Sequence, residues 1–384
     1  MEGLLADART ATGLEDFGGD SFREGLAILL DTYERAGLRP GGRKRTRARL
    51  LQLLANRLKI ERAWKRHPGI YSREIRGPVY LTGLPRTGTS TLFNLIGCDP
   101  VSRPLLLWEA VCPDPLDGQD PAEPDPRMQM IQAGLDAGRA KDPSFDKIHF
   151  ARADGPEECV LLLAHTFRDV QLGIEPLMQP YGAWFERQDL LAPYTYYRDL
   201  LKMLDWQRPG ERWLLKSPAH LWAIDPIVEL FPDACILQTH RDPVEVLPSY
   251  CSMIVALMST RDSVDPLAIG PIVLEYLARS LERGTASRAR SDERRFFDVD
   301  YRALVADPIA EIARVYDYYG LALPADTERA MRAFLDQNPQ NKHGAHHYSL
   351  AEFGLTAEAV RDRLRFYIER FDLSAGGTTE RRAG

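Results

Sequence analysis

The chain has few cysteines. Across 384 residues there are five, Cys98, Cys112, Cys159, Cys235 and Cys251, scattered without the paired spacing of a metal knuckle or disulfide framework. Dispersed thiols of this kind fit buried apolar side chains in a reducing compartment. No apolar run approaches the roughly 20 residues that a membrane-spanning helix requires. The opening Met1-Glu2-Gly3-Leu4-Leu5-Ala6-Asp7 lacks the basic start and apolar core of a secretory signal. An excess of positive charge is missing as well: 49 Lys and Arg stand against 55 Asp and Glu, a net charge of −6. That balance argues against a dedicated nucleic-acid binder and leaves room for a local basic pocket. Internal repeats are absent too. The expectation from these absences is a soluble, cytoplasmic protein without a transmembrane segment.

What is present fits a globular α/β chain, with 44% hydrophobic and 27% charged residues. Residues 1–75 read as a helical extension: Phe22, Leu26, Leu29, Leu30 and Tyr33 recur at helical spacing, as do Leu50, Leu51, Leu54 and Leu58. Between them lies the basic run Arg43-Lys44-Arg45-Thr46-Arg47, ordinarily a solvated helix start and otherwise a contact for a polyanion or a membrane surface. Residues 76–374 read as one α/β domain and 375–384 as a flexible tail. Pro78–Thr82, Arg212–Lys216, Ala234–Thr239 and Arg295–Asp300 are the expected strands, with helical patterns from about Ser90, over Ala219–Leu230 and Val244–Met258, and from about Pro308. Strand–helix alternation predicts a parallel sheet flanked by helices, with ligands beyond the carboxyl ends of its strands. Pro113–Pro126 is proline- and acid-rich and is expected to be irregular.

The informative residues fall at those strand ends. Gly83-Leu84-Pro85-Arg86-Thr87-Gly88-Thr89-Ser90-Thr91 follows the first strand. Its glycines permit a tight turn, and open N–H groups at a helix start make a phosphate cradle. The frame is that of a P-loop, but Thr89 stands where such loops place a lysine for β- and γ-phosphates. A nucleotide with a single 5′-phosphoryl unit does not need that lysine. Thr239-His240-Arg241-Asp242-Pro243 offers a guanidinium at a strand end, and Ser249 follows Arg241 by eight residues, two turns into the next helix. A P-loop kinase shares the topology, and the missing lysine argues against it; a non-catalytic nucleotide-binding protein on the same fold has no need of Arg86, Glu109 and Lys216 together. His240-Arg241-Asp242 lacks the downstream asparagine and DFG of a protein-kinase catalytic loop.

Together the two segments resemble the 5′-phosphosulfate loop and the 3′-phosphate signature of the sulfotransferases that use 3′-phosphoadenosine 5′-phosphosulfate (PAPS), in the bacterial branch. The resemblance extends to Trp213-Leu214-Leu215-Lys216-Ser217-Pro218 and Asp300-Tyr301-Arg302. It implies a P-loop-like fold and in-line sulfuryl transfer to a hydroxyl of a small-molecule or lipid-like acceptor. It also implies PAPS as cosubstrate and no metal. Arg86, Thr87, Gly88, Thr89, Ser90, Thr91, Arg241, Ser249, Tyr301 and Lys342 are then the nucleotide-binding candidates, Lys342 as part of a late basic loop. Arg86 and Lys216 are the candidates for the sulfate and the leaving oxygen. For the general base the resemblance offers Glu109, beside Leu107 and Trp108 where partial desolvation would raise its pKa, and, as the competitor, His149. The cytosolic branch has a tryptophan after the loop that stacks on adenine; Leu92 takes that place here, which leaves the adenine contact open and Tyr301 a candidate for it. Asp154-Gly155-Pro156-Glu157-Glu158 reads as an acidic helix cap or as support for the acceptor pocket. His343, His346 and His347 lack the partners of a closed zinc site. The aromatic stretch Tyr181, Trp184, Phe185, Tyr194, Tyr196 and Tyr197 reads as core, with an apolar acceptor pocket as the alternative.

Overall fold

Short apolar runs with alternate residues facing opposite ways become strands when both faces are covered. The computed structural model, which describes residues 1–119, 123–141, 151–170, 174–338 and 348–373, holds five such strands. They are β1 (Val79–Gly83), β2 (Ser102–Pro104), β3 (Arg212–Lys216), β4 (Cys235–His240) and β5 (Phe296–Asp300), all parallel in the order β2-β3-β1-β4-β5. Four match the expected runs to within a residue at each end. β2 was not expected: Ser102-Arg103-Pro104 has no apolar run, and its proline is tolerated because the strand lies at the sheet edge.

The alternation divides the interior into two cores. Val79 and Leu81 of β1, Leu214 of β3, Leu237 of β4 and Val299 of β5 face one side, against Phe93, Ile312 and Tyr316. Tyr80, Leu215, Ile236 and Phe296 face the other, where the helices Glu2–Thr12, Ser21–Arg35 and Pro40–Arg66 contribute Leu5, Leu26 and Leu54 to the same core. Each fully buried leucine of this kind is worth roughly 1.5–3 kcal/mol relative to exposure. Tyr181, Phe185, Tyr194 and Tyr197 are also fully buried there, so the aromatic stretch is core.

Two helical expectations need correction. Ala219–Leu230 is a 3-10 turn, Pro218–Ala223, followed by a short α-helix, Ile224–Leu230. The Ser217 hydroxyl caps the first, and Pro226 has no N–H to carry one continuous helix through. The stretch from Pro113 is irregular in its described residues up to Asp125, but Pro126 opens the helix Pro126–Lys141. No helix among the described residues is long and apolar enough to cross a membrane.

Candidate active site

β1 hands the chain to a loop that needs glycine. Gly83 has φ +137°, and a Cβ there would sit 2.5 Å from the main-chain oxygen of Thr239, so no larger residue lets the ends of β1 and β4 approach this closely. Gly88 has φ +86°, and its Cβ would press on Leu304 and Tyr301. Between them Arg86 takes φ +65°, a backbone state that costs a non-glycine residue roughly 1–2 kcal/mol. The Thr87 hydroxyl ties the turn, donating to Leu84 O at 2.6 Å, with the Thr239 hydroxyl also 2.6 Å away. The helix Thr89–Ile96 follows without a side-chain cap, and its first bond runs from Leu92 N to Gly88 O. The N–H groups of Thr89, Ser90 and Thr91 are thereby left open toward the loop, an arrangement that receives an anion.

Side chains from the other strand ends meet this loop. Arg241, the first residue after β4, donates from Nη1 to Arg86 O at 3.1 Å and from Nε to Glu245 at 3.0 Å. Its guanidinium lies 4.1 Å from the centre of the Tyr301 ring. Tyr301 therefore supports the arginine, a role that the adenine expectation did not foresee. Arg86 Nε donates to Ser249 Oγ at 3.0 Å, joining the loop to the helix Pro243–Leu257. Lys216 ends β3 and is only 4% exposed. Its Nζ donates to Ser90 Oγ at 3.2 Å and lies 3.2 Å from a Glu158 carboxylate oxygen. Arg86, Ser90, Lys216, Arg241, Ser249 and Tyr301 are thus brought together at the carboxyl edge of the sheet.

Glu158 arrives by a route the sequence does not display. Glu157 N donates to Leu105 O at 2.8 Å and Cys159 N to Lys216 O at 2.9 Å, so residues 157–159 are pinned between the chain after β2 and the end of β3. The acidic stretch is therefore no helix cap: the helix Val160–Leu163 has four residues and no side-chain cap bond. A cavity of about 170 Å³ opens beside the loop. Arg86, Thr89, Ser90, Glu158 and Ser217 line its polar part, and Trp222, Ile254, Leu257, Tyr276 and Leu277 are among its apolar walls. Among the described residues that line it, Glu158 alone carries a carboxylate.

Glu109 stands elsewhere. It is 1% exposed, and its two oxygens accept from Arg103 at 2.8 Å each and from Arg208 at 3.0 and 3.3 Å. Arg103 in turn lies 3.7 Å over the Trp213 ring. Burial pushes the Glu109 carboxyl up, but the two guanidiniums outweigh it and hold the pKa below the ordinary carboxylate value. The raised pKa expected for Glu109 is corrected on that ground, and the cavity lining does not include it. His149, Lys342, His343, His346 and His347 lie outside the described residues.

The comparisons agree on one family. Residues 78–325 match the profile described as the Sulfotransferase family. The omega-hydroxy-beta-dihydromenaquinone-9 sulfotransferase Stf3 of Mycobacterium bovis and of Mycobacterium tuberculosis is 25% identical over 256 residues, 64% of this chain. The chain spans 63% of the length of these curated relatives. Among solved structures, the sulfotransferase STF1 from Mycobacterium tuberculosis superposes with a TM-score of 0.83 at 35% identity, covering 94% of this chain and 97% of its own. The sulfotransferase STF9 from Mycobacterium avium gives 0.86 at 29% identity, covering 98% of each.

Proposed function

The chain belongs to the sulfotransferase family, and from that premise we propose that it moves a sulfuryl group from PAPS to a hydroxyl of a lipid-like acceptor. The observation that carries this reading is the meeting of Arg86, Lys216 and Arg241 on the loop after β1, beside a cavity with a polar mouth and apolar walls. The loop fits a nucleotide with one 5′-phosphoryl unit, because its open N–H groups form a cradle and Thr89 replaces the P-loop lysine. Arg241 and Ser249 fit the 3′-phosphate: the arginine has a second terminal nitrogen beyond the one that holds Arg86 O, and the Ser249 hydroxyl, bonded to Arg86 Nε, is a further donor at the same loop.

PAPS supplies a sulfuryl group whose bridging oxygen gathers negative charge as it departs, with geometry like that of phosphoryl transfer. In this chain Lys216 and Arg86 are the cations in reach of that oxygen and of the sulfate. A preorganised donor of this type is typically worth about 3–4 kcal/mol. Glu158 takes the acceptor's proton: it faces the cavity, and Lys216 fixes its carboxylate at 3.2 Å. The apolar walls from Trp222, Ile254, Tyr276 and Leu277 support an acceptor with a hydrocarbon body. The acceptor in the curated relatives' name, a hydroxylated dihydromenaquinone, is of that class.

Thermal melting with added nucleotides tests the cosubstrate. Adenosine 3′,5′-bisphosphate at about a hundred times its dissociation constant is expected to stabilise the protein by roughly 2.7 kcal/mol. Arg241→Ala should remove most of that gain. Stabilisation by ATP with magnesium in preference to the bisphosphate would overturn the reading in favour of a kinase.

A further inference from the structure

The nucleotide-side arginine is held from behind by the last helices of the chain. Tyr367 is fully buried in the helix Arg365–Arg370, and its hydroxyl reaches the end of β4, next to Arg241. The same hydroxyl lies 3.0 Å from His240 Nδ1, and His240 Nε2 lies 2.8 Å from Asp298 Oδ1 on β5. One pattern of protons satisfies both contacts: Tyr367 O–H to Nδ1, and Nε2–H to Asp298. Neutral imidazole suits this chain, and burial keeps the His240 pKa below its ordinary value.

Each member is itself immobilised. Arg288 grips both oxygens of Asp298 at 2.6 and 2.9 Å, and Phe371 stacks on the His240 ring with centroids 3.8 Å apart. The neighbours of Arg241 are tied to the same part of the chain. Arg361 donates to Asp242 at 3.3 Å, and Arg302, next to the supporting Tyr301, donates to Asp372 O at 3.0 Å. The guanidinium of Arg241 is set in place by its ring partner and by the main chain that carries it. That main chain is anchored to residues 361–372 and not to the phosphate loop alone.

We infer that Tyr367 and His240 are positioning residues for Arg241, through which the C-terminal helices set the preference for a nucleotide bearing a 3′-phosphate. The inference rests on the assignment of Arg241 to that phosphate. Neither residue is among those that line the cavity, so their effect falls on nucleotide selection before chemistry. Tyr367→Phe keeps the ring and its packing on Phe371 while leaving His240 Nδ1, beside Arg241, without its partner.

The test is calorimetric titration of adenosine 3′,5′-bisphosphate and of adenosine 5′-monophosphate into wild type, Tyr367→Phe and Arg241→Ala. Tyr367→Phe is expected to weaken the bisphosphate about tenfold, as one buried hydrogen bond to a positioned group would. The monophosphate affinity should stay within about twofold, inside the spread of a neutral surface change. Equal weakening for both nucleotides would mean a structural role and would overturn the inference, as would no change for either. If Arg241→Ala keeps the wild-type preference for the bisphosphate, the assignment of Arg241 falls, and the inference with it. If Arg241→Ala loses that preference while Tyr367→Phe keeps it, the inference alone falls. Should Tyr367→Phe fail to fold, Arg361→Ala, which cuts the tie to Asp242 from a half-exposed position, is read by the same criteria.

Discussion

Two glutamates of this chain show how surroundings decide a role. Glu109 is enclosed by Arg103 and Arg208, with no oxygen left for a substrate. Glu158 faces a cavity and, among the described residues, pairs with Lys216. Replacing Glu109 by Gln leaves two guanidiniums short of their counter-charge, a change that in buried pairs costs roughly 3–5 kcal/mol. Chemical denaturation should show that loss, while sulfuryl transfer per folded molecule persists. The pH dependence follows from the lowered pKa: its contribution is complete above the unfolded carboxylate value, about 4.3, and disappears as pH falls through the folded one. The stability gap between wild type and Glu109→Gln should therefore narrow on acidification below about pH 4. A gap independent of pH would contradict the assignment. At this scale the sequence discloses Arg86, Lys216 and Arg241, because each follows or ends a readable strand, and Ser249 through its spacing of eight residues from Arg241. Glu158 was read only within an acidic stretch that caps a helix or supports the acceptor pocket, because what places it are bonds from Glu157 to Leu105 and from Cys159 to Lys216, partners some fifty residues away.

The strands were readable where both faces are apolar, as in Val79–Gly83 and Cys235–His240. β2 was not, because an Arg-Pro edge strand makes sense only once Trp213 and Glu109 are there to receive the arginine. The cavity walls were also missed. Ile254, Leu257, Tyr276 and Leu277 among them come from the helices Pro243–Leu257 and Pro266–Arg288, whose apolar residues look like ordinary core until the fold sets them beside the phosphate loop. Enlarging one wall residue tests their function. Leu277→Trp is expected to reduce transfer to a long-tailed acceptor at least about tenfold, for about 1–3 kcal/mol of overpacking. The thermal shift with adenosine 3′,5′-bisphosphate should be retained. Unimpaired transfer would place the acceptor elsewhere.

For the molecule as a whole, a parallel sheet with a core on each face carries its chemistry on the edge where the strands end. The N-terminal helices enlarge one core and the C-terminal helices brace the loop after β4. A net charge of −6 coexists with Arg86, Lys216 and Arg241 at that edge, so the proposed anion site is a local construction and not a property of the surface. The most direct test of the central claim is transfer of labelled sulfate from PAPS into a hydroxylated quinone or lipid extract, by wild type beside Glu158→Gln. The wild type should give a labelled lipid, and Glu158→Gln should lose about 10²–10⁴ in rate. No labelled product from a nucleotide-binding wild type, or full activity in Glu158→Gln, would contradict it.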